Sequence, residues 1–296
     1  MGIALNEGLS QISLLVIYGA MAFYTAAFLT FANQLSRLIS EKKSMREAAG
    51  KIEKIAIALL AIAALLHGVG VLLRGIAASR VPWANMYEFA MTGTGVITGV
   101  FLLVNLKWNL RFLGSFITGL VLLLLGLAAT RYYVEVVPLP PALQSYWLVI
   151  HVFVATLATG FFALGFALSL AQLLQESREQ KQSTRLAFMD RLPAAEVLEN
   201  YAYRLIIIGF VLWTFTLIAG AIWAEKAWGR YWGWDTKEVW TFIIWTLYAG
   251  YIHARSTRGW RGSRSAWLAM VGFAAVMFNF TVVNIFFKGL HAYSGL

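Results

Sequence analysis

The chain has 296 residues, 60% hydrophobic and only 13% charged. A soluble domain carries about 25% charged residues, so an ordinary soluble domain is excluded and an integral membrane protein is predicted. The net charge of +10 would suit a nucleic-acid partner, but the basic residues alternate with long apolar runs and form no separate basic domain, which excludes that class. The chain has no cysteine, so it cannot form a disulfide, a thiolate metal site or a thioether link of its own.

Eight apolar stretches, each near the roughly 20 residues a bilayer requires, predict transmembrane helices at about 10–34, 52–74, 88–105, 111–131, 147–174, 202–222, 237–255 and 266–288. The start, MGIALNEGLSQ, has no basic n-region, so no cleavable signal peptide of the usual form is expected. The connections are short. Residues 1–296 are therefore expected to form a single polytopic membrane domain, an all-α bundle of eight helices, since lipid leaves backbone groups no partner outside their own helix. The connection at 36–54 has charges at i,i+4 spacing and is expected to be a helical extension. That at about 175–204 holds an amphipathic surface segment. The connection at 131–147 carries Pro138, Pro140 and Pro141 and is expected to be extended and non-helical.

Alternate connections divide the basic residues unevenly. Of the 24 lysines and arginines, 17 fall in the connections at 36–54, 107–111, 175–204 and 255–264, and 7 fall on the opposite side. The positive-inside rule puts the first set in the cytoplasm and both termini outside.

On the outer side, residues 223–245 read WAEKAWGRYWGWDTKEVWTFIIW. Six of the chain's 12 tryptophans lie here: Trp223, Trp228, Trp232, Trp234, Trp240 and Trp245. Between them are Glu225, Lys226, Arg230, Asp235, Lys237 and Glu238, with Gly229 and Gly233 as breakers. An interfacial aromatic belt would account for one or two of these indoles. Six on one short segment form an apolar shelf with charges at its rim, suited to a large planar ligand that carries charge at one edge.

The chain has four histidines. His151 and His291 lie on the tryptophan side, at the start of the fifth span and just past the eighth. His67 lies within the second span, about 22 Å from its inner end at 1.5 Å per residue, and His253 lies in the inner half of the seventh. A histidine in lipid is either a helix–helix hydrogen bond or a functional group. No two share a helix, so a local zinc motif is absent. Ligation would need one imidazole from each of two helices. A metal enclosed by a flat ring with two open axial positions meets that requirement, and haem is such a ligand.

WGRYWGWD at 228–235, with Trp240 close behind, resembles the tryptophan-rich WWD signature of the haem-handling proteins of cytochrome c maturation. Within that superfamily the sequence is most similar to the CcsA (ResC) family, the integral-membrane half of the system II cytochrome c synthase. NMYEF at 85–89, HAR at 253–255 and the eight spans carry the same resemblance. Thr236 stands where the family pattern leads one to expect a proline.

The resemblance implies haem b as substrate and ligand. His67 and His253 would be a membrane pair that takes haem from the cytoplasmic side. His151 and His291 would be axial ligands at an outer site against the WWD segment, 223–240. Trp228, Trp232, Trp234, Asp235 and Trp240 would line that site. Arg230, with Arg80 and Arg131 as further candidates, would pair with propionates. Asp235 is also expected to cap the helix that follows it, and Glu88 to have a structural or proton-handling role.

The implied activity is holocytochrome c synthase, joining haem by thioether bonds to the CxxCH cysteines of an apocytochrome c. The implied partner is a CcsB/ResB-type membrane protein. The implied location is a bacterial plasma membrane or a thylakoid membrane, with the WWD segment on the periplasmic or lumenal side. Two other functions fit parts of the sequence: a module that hands haem to a chaperone without ligation, and a haem-independent transporter with an aromatic gate. The intramembrane histidines speak against the first, and the scarcity of charged residues within the spans against the second.

Overall fold

The computed structural model describes residues 2–38, 40, 42–137, 139, 143–181, 187–257, 260–287 and 289–291. Among these residues the regular structure is entirely helical. The long helices are α1 (Gly2–Leu38), α2 (Lys43–Ala78), α3 (Met86–Lys107), α4 (Gly114–Arg131), α5 (Tyr146–Lys181), α6 (Ala195–Trp228), α7 (Thr236–Ser256) and α8 (Ser263–Phe278). Each expected span falls on one of them. The basic stretch after α1 is helical from Lys43, and α8 continues through a π turn at Asn279–Val283 into a last turn, Asn284–Phe286.

Among the described residues seven helices are long and apolar enough to cross a membrane, and the protein is a multi-pass integral membrane protein. Helix α7, 21 residues long, is the exception among the eight expected spans. Its Trp, Tyr and Thr side chains bring N–H and O–H groups into the run and lower its apolarity. Of the stretch 131–147 expected to be non-helical, Arg131, Tyr146 and Trp147 belong to α4 and α5, and residues 132–137 carry no helix; Pro138, Pro140 and Pro141 lie outside the described residues, as does Lys288.

The chain resolves into two compact units: residues 1–82, 87–137 and 178–193, and residues 83–86, 138–177 and 194–296. In the first, α1 packs chiefly on α2 and then on α4. Ala56, Leu60, Ala63, His67, Gly70 and Arg74 recur every three or four residues along the buried stripe of α2. Leu65 and Leu72 lie off that stripe and are 72% and 66% exposed, as suits contact with acyl chains. Small residues let the helices approach: a Cβ on Gly70 would collide with Ile17, and one on Gly114 with the Phe31 ring.

A buried ion cluster closes one end of this unit. Arg74, fully buried, gives Nε to Glu88 Oε1 at 3.0 Å, Nη1 to Ser10 Oγ at 2.7 Å and Nη2 to the Val134 carbonyl at 2.7 Å. Arg80 reaches the other oxygen of Glu88 at 2.6 Å. The rings of Tyr87 and Tyr133 lie 5.3 and 5.6 Å from the Arg74 guanidinium. Buried charge is tolerated only where it is paired and hydrogen-bonded, as Arg74 and Glu88 are here.

In the second unit a run of close contacts joins α5 to α8. Gly209 of α6 lets Phe162 of α5 approach; Phe162 stacks on Tyr248 of α7 at 3.8 Å; and Gly272 of α8 lies against that tyrosine. Two indoles add hydrogen bonds between α6 and α7, Trp213 Nε1 to the Thr241 carbonyl at 3.1 Å and Trp245 Nε1 to Thr214 Oγ1 at 3.0 Å. At the far end of α7, Arg255 pairs with Glu199 at 2.6 Å, and Glu199 also accepts from Ser265 Oγ and the Gly262 amide. The four helices that carry the tryptophan segment and two of the histidines are therefore tied along their length, and α6, α7 and α8 also at the end away from that segment.

Candidate functional site

Helix α6 ends at Gly229, whose φ of +70° is the left-handed stop that glycine adopts without penalty. The chain then turns through 230–235 and restarts as α7. Asp235 is the N-cap of α7. Its carboxylate accepts from the Lys237 amide, while Glu238 reaches back to the Asp235 amide at 3.0 Å, which completes a capping box. Trp234, just before the cap, takes a φ of +60°, costly for so bulky a residue, and is 74% exposed.

His151 and His291 come together on one indole. The His151 ring stacks on Trp223 at 5.8 Å with an interplanar angle of 22°. The His291 ring meets the same indole edge-on at 5.3 Å and Trp228 at 4.8 Å. Each imidazole is anchored through Nδ1. That of His151 donates to the Thr216 carbonyl of α6 at 3.0 Å, and that of His291 to Asp235 Oδ2 at 2.7 Å. Among the described residues neither Nε2 has a hydrogen-bond partner. The hydrogen bond to His291 holds the Asp235 carboxyl below the usual carboxylate range.

Trp223, one of the six indoles of the expected shelf but not one of the individually expected haem contacts, is the residue both imidazoles touch. It is 2% exposed and lies at the end of α6. Gly220, one turn earlier, carries no signal in the sequence: a Cβ there would lie 2.8 Å from His151 Cε1 and 2.9 Å from Nδ1, so its hydrogen atom makes the seat for the ring.

The other expected tryptophans divide. Trp228 belongs with the histidines. Trp232 and Trp234 pair with each other at 5.8 Å. Trp240 turns to α8 and packs on Phe278 at 4.4 Å, an inter-helix contact rather than part of one continuous shelf.

Arg230 lies across Gly233, with its Nη1 buried and making no hydrogen bond, 3.8 Å from Glu238 Oε1. Its donor capacity is thus incompletely used. Arg80 is committed to Glu88, and Arg131 is exposed at the end of α4.

The intramembrane histidines have unlike settings. His67, fully buried, places Nε2 2.8 Å from the Met91 carbonyl and Nδ1 3.1 Å from the Tyr24 hydroxyl, so both ring nitrogens are engaged. His253 is exposed on α7.

Among the described residues no group of three or more His, Cys, Asp or Glu could hold a bare metal ion. A zinc site needs three or four protein ligands. Two imidazoles with open Nε2 atoms beside indole fit instead an iron whose equatorial ligands come with it.

The family model for cytochrome C assembly protein matches residues 83–291. The chain belongs to the cytochrome c assembly family. The match takes in Trp223, His151, His291 and the whole tryptophan segment, whereas His67 lies before it. A CcsA cytochrome c biogenesis protein of Synechococcus sp. (strain JA-3-3Ab) is 36% identical, covering 96% of this chain and 94% of its own. Those of Prochlorococcus marinus and Trieres chinensis are 35% and 34% identical over 79% and 75% of this chain, and 82% and 81% of theirs. The chain therefore falls within the CcsA branch of the family, and its role lies in cytochrome c maturation. Among solved structures, cytochrome c haem lyase CcmF shares the fold, with a TM-score of 0.62 and 17% identity, over 92% of this chain and 46% of that one.

Proposed function

We propose that this family member carries haem b across the membrane and presents it to an apocytochrome c for thioether attachment. It would do so as the CcsA half of a system II synthase completed by a CcsB/ResB-type protein. Residues 1–296 would act as one polytopic unit of eight spans, α7 included, with both termini and the tryptophan segment on the periplasmic or lumenal side of a bacterial plasma membrane or thylakoid membrane. The basic residues, 17 against 7, support that orientation.

One observation carries the reading: His151 and His291 both contact a single buried indole, each tied through Nδ1 and, among the described residues, each with no hydrogen-bond partner on Nε2. The haem disc would lie against Trp223 and Trp228, and a propionate would take up the unused donor capacity of Arg230. In the attachment, each acceptor thiol adds its S–H across a vinyl double bond, so no leaving group departs. The chain needs no nucleophile for this; it has to hold the disc in one orientation, which is where the rate gain would arise.

The test is a reduced-minus-oxidised absorption spectrum of the protein co-purified with its partner from haem-replete cells. The wild type is expected to show bis-histidine haem bands, weakened or shifted in both His151→Gly and His291→Gly. Wild type without haem bands rejects the reading.

A second reading, delivery of haem to a chaperone without use of the membrane pair, is favoured by the setting of His67, both of whose ring nitrogens are engaged. A folded His67→Gly variant separates the two. Uptake through the membrane predicts loss of haem from the His151/His291 site, and the delivery reading predicts haem at the wild-type level.

A further inference from the structure

We propose that Asp235 is the positioning residue for His291, and that it makes His291 the firmer and His151 the more exchangeable of the two iron ligands. The inference rests on the haem reading above and adds an inequality between the ligands.

The geometry is specific. Asp235 Oδ2 accepts from His291 Nδ1 at 2.7 Å, and Oδ1 accepts from the backbone amide of Leu290 at 3.1 Å. The carboxylate therefore grips both the ring and the backbone beside it, 56 residues along the chain. The approach is so close that a Cβ on Gly289 would collide with Oδ1. The same carboxylate is fixed in turn by its place in the capping box of α7.

A neutral imidazole has one N–H, and an ionised carboxylate can only accept. The pairing places the proton on Nδ1 and leaves the lone pair on Nε2, on the side of the ring away from the carboxylate. For His151 the corresponding acceptor is a neutral carbonyl, that of Thr216. A carboxylate partner makes an imidazole a stronger donor to a metal than a carbonyl does, through the charge-assisted hydrogen bond. His291 is then the ligand that holds, and His151 the ligand that yields when a histidine from the acceptor takes its place. A site that must grip haem and later release it gains from this asymmetry.

The competing role is that Asp235 only caps a helix. Asparagine caps about as well as aspartate but carries no charge, so Asp235→Asn separates the two. The samples are the protein purified with its partner, as wild type, Asp235→Asn, His151→Gly and His291→Gly. The readouts are thermal midpoint, haem affinity by titration of the haem-depleted protein, and haem midpoint potential.

Asp235→Asn is expected to melt near wild type, to bind haem about 10- to 100-fold more weakly, and to shift the potential upward, because a weaker donor stabilises ferric iron less. His291→Gly is expected to cost more affinity than His151→Gly. Wild-type affinity and potential in Asp235→Asn, with both changed in His291→Gly, would overturn this inference and leave the haem reading intact. Equal losses in the two histidine variants would overturn the inequality. Absence of haem binding in wild type would overturn both readings. Should Asp235→Asn not fold, the imidazole ¹⁵N NMR spectrum of the haem-free wild type decides. His291, assigned from the His291→Gly spectrum, is expected as the Nδ1–H tautomer, and an Nε2–H tautomer would overturn the proposal.

Discussion

Arg74→Ala is expected to cost about 3–5 kcal/mol, the range for removing one partner of a buried ion pair, and Glu88→Gln to cost a comparable amount. Arg74 and Glu88 are each fully buried. Deleting Arg74 withdraws charge from Glu88 and leaves Ser10 and the Val134 carbonyl without their donor. Neutralising Glu88 leaves Arg74 and Arg80 facing each other around one uncharged amide. The cluster joins α1, α2, the start of α3 and the chain beyond α4, so its loss frees several elements together. The check is a thermal melt in detergent. Arg74→Lys should recover only part of the loss, since an ammonium cannot reproduce the separate directions in which Nε, Nη1 and Nη2 donate. Melting of Arg74→Ala within a degree of wild type would show that the cluster does not hold this unit together.

Gly220→Ala is expected to weaken haem binding while leaving the helix at least as stable. In a helix interior, alanine is favoured over glycine by about 1 kcal/mol, so α6 itself should gain. The new Cβ would meet His151 at 2.8 and 2.9 Å, inside the contact distance of any real methyl group. The ring must then leave its stack on Trp223 and its hydrogen bond to the Thr216 carbonyl. The expected result is a loss of haem affinity of about tenfold or more, as for other changes that misorient a metal ligand, with an unchanged or raised thermal midpoint. Loss of stability together with haem would instead mark Gly220 as a packing residue alone. Unchanged haem affinity would show that His151 does not need this seat.

The two variants also mark the limits of what the sequence reveals. Arg74 reads as one of seven basic residues on the sparsely charged side, with nothing nearby to say that it would be buried. Its partners Ser10 and the Val134 carbonyl are 64 and 60 residues away. Arg80 looked like a propionate partner because arginine suits carboxylates, but Glu88 occupies it first. Trp240 carried the same expectation as Trp228, yet a position on α7 facing Phe278 makes it part of the helix packing. His67 met both readings open to an intramembrane histidine, and its contacts with Tyr24 and the Met91 carbonyl, 43 and 24 residues away, could not be read from the chain.

Features that depend on local pattern are legible along the chain. Apolar run lengths and the scarcity of charge specify a helical membrane protein, because backbone groups in lipid must be satisfied within each helix. The tryptophan motif, with the aspartate that caps α7, is a contiguous stretch and can be read as one. The family follows from it. Only the tertiary structure decided which side chains share a surface. The Thr216 carbonyl, Gly220, Trp223 and Asp235 surround two imidazoles that stand 65 and 56 residues from their hydrogen-bond partners. Distances of that kind come from how helices pack, through glycines that admit a ring and carboxylates that a cap has already fixed, and no periodicity along the chain encodes them.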